Sequence, residues 1–241
     1  MTKQNRSRIG FDAPRLIELL VGEIPEIESI KLFRPKYFPL LQESSGISHS
    51  ERLIIEEGLK LRDDLGLSFW DSILLHLSTH AERADNVLKL ATRHNPQDLD
   101  CTVVPRADCK EANLRNFIAQ LIGGQILAIS SSVQTNSRLV RHLPMIDFHC
   151  RESDTNLNTV KTVINELGLT GFIAVSGGSY HFYGRSLVDE QALMTILGRS
   201  LLFSPIVDHR WIAHQLLERA CGLRISPGKQ YKSCPEVIAE I

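Results

Sequence analysis

"GFIAVSGGSYHFYG", residues 171–184, reads as two short strands joined by a glycine turn. The first half, 171–176, is apolar and rich in β-formers. The second, 179–184, sets aromatic residues around a polar one, which is strand chemistry. Gly177 and Gly178 mark a tight turn, or a place where backbone must come close to something. His181 stands in the middle of the second strand, directly after that turn, and needs a reason to be there.

Working outward, Leu157, Val160, Ile164 and Leu167 form a helical stripe that Gly168 closes. Before it, "QILAISSSV" (125–133) and "LPMIDFHC" (143–150) read as strands, joined as a hairpin through "QTNSR". After it, Ser186 with Asp189 caps a helix carrying Leu193, Ile196, Leu197 and Leu201. "FSPIVD" (203–208) reads as a strand, a helix runs from about 209 to 220, and "CGLRIS" is a last strand. Strand, helix, strand, strand, helix, strand is the split βαβ order of a ferredoxin-like or RRM-like unit. In that order the first and third strands are neighbours, because the crossover helix carries the second to the far side.

The first hundred residues read differently, as helices. Ser48 with Glu51 is a capping-box pattern, followed by Ile54, Gly58, Leu61 and Leu65 at helical spacing and a stop at Gly66. Ser68 with Asp71 opens another helix, with Trp70, Ile73, Leu77, Ala84 and Leu88 on one face. "RHNPQD" (93–98) breaks the pattern. The expectation is an α+β protein with a helical accessory region over 1–98 and an RRM-like α+β domain over 99–241.

Composition sets the outer limits. With 43% hydrophobic and 23% charged residues in 241, the chain has ample material for a packed core. A net charge of −1 argues against a broad nucleic-acid-binding surface, though not against a local basic groove. Five cysteines without a Cys-x-x-Cys pair suggest reduced thiols, neither a disulfide framework nor a zinc knuckle. The apolar runs are too short for a membrane span, and the polar "MTKQNRSRIGFDAPR" lacks the apolar stretch of a signal peptide. A cytoplasmic location, with no membrane partner, is the expectation.

Several residues could carry chemistry. Asp147 and His149 alternate with Phe148, so period two puts both polar groups on one strand face, where they could share a divalent metal or simply meet solvent. His181, two strands on, could face the same surface, although a strand histidine is ordinarily structural. The turn before it could present N–H groups to a phosphate, backed by a protonated imidazole. Asp208 ends the apolar run "SPIVD" and also suits a helix N-cap, and one carboxylate can serve both roles. "LRISPGKQYK" places Arg224 on a strand, with Lys229 and Lys232 after a Pro-Gly turn, a basic tip that would suit a phosphate-bearing substrate.

Taken together, these segments resemble the archaeo-eukaryotic primase superfamily. "MIDFHC" is similar to its first motif, a strand ending in Asp-x-Asp. "SGGSYHFYG" resembles the second, a Ser-Gly segment leading to a strand histidine, and "SPIVDHRW" the third, an apolar run ending in aspartate. "LRISPGKQYK" is similar to the Arg-Leu-Pro-Gly segment that often follows in primase-polymerases. Order and approximate spacing agree across residues 143–230, and the second motif is the most specific match.

The resemblance implies a metal-dependent nucleotidyltransferase acting on nucleoside triphosphates and nucleic acid. Asp147 and Asp208 would be metal ligands, with His149 in the place of the family's second aspartate. Ser176, Gly177 and His181 would form the triphosphate pocket, with Arg224 and Lys229 beside it. Histidine for aspartate implies Mn²⁺ over Mg²⁺, or the loss of one metal and a domain that only binds. Two other readings stay open: an inactive nucleotide- or nucleic-acid-binding module in a larger assembly, with a protein partner on the helical region, and a metal-dependent nuclease or phosphohydrolase using Asp147, His149 and Asp208.

Overall fold

A computed structural model describes residues 9–35, 48–65, 67, 69–78, 85–93, 96–229 and 231–241. The chain divides into two compact units, Met1–Pro35 with Pro96–Ile241, and Lys36–Asn95. The described elements, in chain order, are α1 (Ala13–Glu23), β1 (Ile27–Phe33), α2 (His49–Leu65), α3 (Phe69–Ser78), α4 (Asp85–Ala91), β2 (Cys101–Pro105) and α5 (Glu111–Ala119). They continue with β3 (Ala128–Thr135), β4 (Val140–His142), β5 (Met145–Asp147), α6 (Asp154–Glu166), β6 (Gly171–Ser176), β7 (Ser179–Gly184), α7 (Glu190–Ser200), α8 (His209–Glu218), β8 (Gly222–Arg224) and β9 (Glu236–Glu240). The architecture is α+β, with two antiparallel sheets in the larger unit.

The second of these sheets carries the order β5-β7-β6-β9. β5 and β7 are neighbours with α6 as the crossover, as the split βαβ order requires. Ser153 starts α6 by accepting from Asn156 N at 3.1 Å, and Leu157, Val160, Val163 and Ile164 bury its inner face. Tyr180 ties β7 to that helix start, since its hydroxyl donates to Ser153 O at 2.9 Å and accepts from Ser153 N at 2.8 Å. Ser176 pairs with Ser179, so Gly177 and Gly178 are the two central residues of a hairpin turn, at φ +66° and +103°. Positive φ at both positions is the type I′ pattern that glycine satisfies without steric cost.

The first sheet has the order β2-β1-β3-β4, and β8 pairs with the start of β3 through Ala128↔Arg224 and Ile129↔Leu223. One continuous apolar core, including Leu16, Ile30, Ile129, Ile146, Phe182, Leu193 and Ile225, fills this unit. In the Lys36–Asn95 unit, Ile54, Ile55, Ile73, Leu77 and Val87 form a separate core. Its first helix opens with a reciprocal capping box, Ser48 N to Glu51 Oε2 at 2.8 Å and Glu51 N to Ser48 Oγ at 3.3 Å. Gly58 is needed there, because a Cβ would lie 3.0 Å from Ile73 Cα.

Several expectations are corrected. The first 98 residues are not all helical. Ile27–Phe33 is a central strand, paired with β2 and β3, and belongs with the α+β unit. Only Leu143 of the stretch 143–150 pairs back onto 125–133, its N–H donating to Ser131 O at 2.9 Å. β3 pairs with β4, and the chain then changes sheets at Pro144, which has no N–H to continue the ladder and whose carbonyl accepts from Gly184 N at 2.7 Å. Residues 203–208 form no strand. A 3-10 turn at Leu201–Phe203 precedes Pro205, and only Phe148↔Val207 bridges. "CGLRIS" forms only the three-residue β8, because its next residues turn away at Ser226. The N-cap of α7 is Asp189, which accepts from Ala192 N at 2.8 Å, so the helix begins after Ser186. Gly66, Ser68, Ala84 and the pair at 94–95, on which helix signals were read, lie outside the described residues. No described helix is long and apolar enough to cross a membrane.

Candidate functional site

β5 and β7 set the site by register, for Asp147 faces His181 across the ladder. The chain from 206 to 208 then runs beside the end of β5. His149 N donates to Ile206 O at 2.7 Å, Phe148 bridges Val207, and Asp208 N donates to Asp147 O at 2.9 Å. Main-chain bonding therefore seats Asp208 next to Asp147 although 61 positions separate them in the chain. Asp208 is also the N-cap of α8, its Oδ1 accepting from Trp211 N at 2.8 Å. Period two holds at the first motif: Ile146 and Phe148 are core residues, Asp147 is partly enclosed, and His149 is exposed.

Burial pushes the Asp147 carboxyl well above the usual carboxylate range, and the charge of Asp208 adds to this while Arg224 opposes it. His181 is pushed down to about 3, by burial first and by Arg224 second, so its ring is neutral. The expected protonated histidine is thus corrected: an enclosed imidazole beside a buried guanidinium has no favourable charged state. Its Nε2 lies 3.6 Å from Asp147 Oδ1, which is proximity without an ion pair. Nδ1 lies 3.2 Å from the hydroxyl of Tyr183, and that hydroxyl donates to Arg224 O at 3.0 Å. One phenol carries one proton. With the phenol proton directed to Arg224 O, the consistent tautomer carries its N–H on His181 Nδ1 and leaves Nε2 bare.

Arg224 is buried on β8. Its Nη1 donates to the carbonyls of Ser226 and Ser233, and Nη2 donates to Ser176 Oγ at 2.8 Å. Its guanidinium carbon sits 4.1 Å from the ring centroid of Tyr231. Among the described residues no carboxylate lies within salt-bridge distance of it. The Tyr231 ring also closes over the hairpin turn: a Cβ on Gly177 would lie 2.4 Å from Tyr231 Cδ1. Gly177 thus has a packing reason for its missing side chain. Lys229 stands on the exposed turn closed by the Gly228–Tyr231 bridge, with its Cβ against Gly124.

The structure therefore gathers Asp147, His181, Asp208, Ser176, Gly177 and Arg224 about one end of β5–β7 and β8, and leaves His149 at the solvent edge. Two residues escaped sequence reading. Tyr183 shares the face of His181 by period two, a signal that was available. Tyr231 offered none, because its partners are 54 and 7 positions away. Among the described residues, no three His, Cys, Asp or Glu side chains converge as a metal-binding group. What the structure does bring together is Asp147 with His181 across one rung of the ladder, and Asp208 with Asp147 through the main chain. A carboxyl pushed up by burial and by the like charge of Asp208, and only partly relieved by Arg224, would be favoured in its ionised form by a bound cation.

No curated protein and no solved structure gives a significant match to this chain. A family model does: archaeo-eukaryotic primase 1D-like, an AEP-like family, aligns with residues 105–236. That span holds β5, β6, β7, α8 and β8, and hence every residue of the site just described. With more than half of its length matched, the chain belongs to the archaeo-eukaryotic primase superfamily, among its 1D-like members.

Proposed function

We propose that this protein is a divergent primase-polymerase that transfers nucleotidyl groups from nucleoside triphosphates to a nucleic-acid end, with a divalent metal. The observation that carries the reading is the main-chain bond that seats Asp208 beside Asp147, opposite a neutral His181 and next to a buried Arg224. Asp147 and Asp208 would hold the cation. A cation bound there would neutralise triphosphate charge and lower the barrier to attack by a 3′-hydroxyl.

The protein's own groups have separate tasks. Arg224 brings a buried positive charge into the site, where it has no direct ion pair among the described residues and only a longer-range interaction with Asp147, so an anionic ligand would add to the pairing that burial favours. Its three hydrogen bonds and the Tyr231 ring fix the guanidinium, which spares the ligand the entropy of ordering it. His181, as a neutral ring locked by Tyr183, offers a lone pair and no proton. Ser176, Gly177 and the exposed Lys229 would border the triphosphate. The Lys36–Asn95 helices would be an accessory unit, with exposed Leu53, Leu65 and Leu88 as its surface for a protein partner.

The test is incorporation of labelled nucleotide on a primed template with Mn²⁺ or Mg²⁺, in the wild type and in Asp147→Asn. Incorporation that needs metal and vanishes in the variant is the expected result. A second reading, a binding module without catalysis, is favoured by one observation: His149 is exposed where the family carries its second acid. Triphosphate binding without incorporation under either metal would establish it.

A further inference from the structure

One edge of the first sheet is open. β2 ends the order β2-β1-β3-β4, and among the described residues nothing bridges its outer side. Arg34 N donates to Asp100 O at 2.9 Å, one rung beyond Phe33↔Cys101. Hydrogen-bonded rungs alternate in an antiparallel pair, so Thr102 and Val104 bond to β1 while Cys101, Val103 and Pro105 turn their main-chain groups outward. Pro105, which has no N–H, falls on an outward position, as this parity requires. Open edges ordinarily carry a lysine or another charge that blocks a second strand. β2 carries no charged residue, and Val103 is 61% exposed.

Beside this edge, α5 lines a groove of about 320 Å³ with Val103 and Val104. Asn113, Asn116, Phe117 and Gln120 face it, at the i, i+3, i+4, i+7 spacing of one helix face. Phe117 packs on the core, and the other three are carboxamides. A surface that meets its own copy across a two-fold axis sets each group near its twin. Equal charges would repel there, whereas a carboxamide both donates and accepts. An uncharged strand edge beside an amide-bearing helix face is therefore self-complementary. Asp108, the one acid of the groove, lies beyond the end of the strand.

We propose that β2 is the two-fold interface of a homodimer, with Val103 facing Val103 of a second copy. Antiparallel pairing there makes two N–H···O=C bonds between the Val103 residues, and one from each Cys101 N–H to the Pro105 carbonyl of the other copy. The sheet becomes continuous through both chains, and the two α5 faces come together beside the axis. This goes beyond the nucleotidyl-transfer reading and does not depend on it.

Sedimentation velocity of the full chain, up to roughly 0.2 mM, reads the assembly state. A species of twice the chain mass is expected. Val103→Pro removes an outward N–H and leaves the β1 ladder intact, and Val103→Lys sets like charges face to face. Each should weaken dimerisation about tenfold or more. Mixing Val103→Lys with Val103→Glu chains should restore the dimer, because opposite charges then meet across the axis. A wild-type chain that stays monomeric throughout would overturn the proposal, whether or not another protein covers the edge. A dimer undiminished in both Val103→Pro and Val103→Lys would overturn it as well. Should those variants fail to fold, Val103→Cys in a Cys101→Ser chain decides. Facing Cα atoms about 5.5 Å apart are within disulfide reach, so an oxidised dimer joined at position 103 is expected, and its absence sinks the idea.

Discussion

Replacing Gly177 by alanine separates two reasons for a glycine. Its φ of +66° lies in the left-handed region, where a side chain costs roughly 1–2 kcal/mol. In addition, the new Cβ would lie 2.4 and 2.5 Å from two atoms of the Tyr231 ring, about 1 Å inside the ~3.5 Å of ordinary carbon contact. Any shift of the ring would disturb its stacking with the Arg224 guanidinium, 4.1 Å from the ring centroid. Overpacking of this kind costs about 1–3 kcal/mol, so Gly177→Ala is expected to lose roughly 2–5 kcal/mol in all. For a unit of this size that is a fall in Tm of about 4–20 °C. Gly178→Ala is the control: φ is +103° and nothing lies within 4 Å, so strain acts alone. Urea unfolding followed by Trp211 fluorescence in a Trp70→Phe background reports on the right unit, since the chain has two tryptophans. In a Tyr231→Ala background Gly177→Ala should cost only about 1–2 kcal/mol, the strain part. If Gly177→Ala costs the same with and without the ring, a coupling below about 0.5 kcal/mol, the packing explanation is refuted.

Other variants bear on the site and its frame. Asp208→Asn keeps an N-cap but removes the charge, whereas Asp208→Ala removes both; both should abolish metal-dependent incorporation, and only the alanine should lose about 1 kcal/mol of stability in urea melts. His149→Asp restores the carboxylate that the family motif carries, and a shift from Mn²⁺ toward Mg²⁺ is expected in incorporation assays; equal Mg²⁺ activity in both proteins would remove any role for position 149. Arg224→Lys keeps the charge but not the three-way hydrogen bonding, so triphosphate affinity by calorimetry should fall about tenfold or more. His142 is buried beside Ser131, and burial lowers its pKa against the opposing pull of Glu190 and Asp189. Below its unfolded value of about 6.5 only the unfolded chain takes the proton, so stability falls with pH there. His142→Gln should blunt that fall, and urea midpoints from pH 7 to 5 would measure it.

Local chemistry made part of this molecule legible. β6 and the hairpin turn were visible in "GFIAVSGG", and the stripe from Leu157 to Leu167 gave α6, because each signal lies within one element. Asp147, His181 and Asp208 were legible because the motif order carries them, and strand adjacency in a split βαβ unit then places the first two together. What failed was long-range. Ile27–Phe33 is a strand because β2 and β3 pair with it, and nothing within seven residues announces that. β9 alternates in burial, yet its strand character depends on the open edge of β6. The change of sheet at Pro144 had a signal, the missing N–H, whose meaning depends on where the next strand pairs. The tautomer of His181 was unreadable from sequence, since it follows from a proton on Tyr183 that is committed to a strand in the other sheet.

The pairing of β1 with β2 has a consequence for modularity. Phe33 faces Cys101 across the ladder, Arg34 N donates to Asp100 O at 2.9 Å, and their side chains pair at 3.2 Å. The polypeptide leaves the sheet and rejoins it on a single rung, with the whole Lys36–Asn95 unit spliced in between. Such an arrangement makes the helices a detachable cartridge. An Asn-Gly dipeptide between Arg34 and Asp100 would close the same two strands as a plain hairpin, leaving a shorter protein whose β-ladder has nothing to relearn. A different cargo could be threaded through the same doorway.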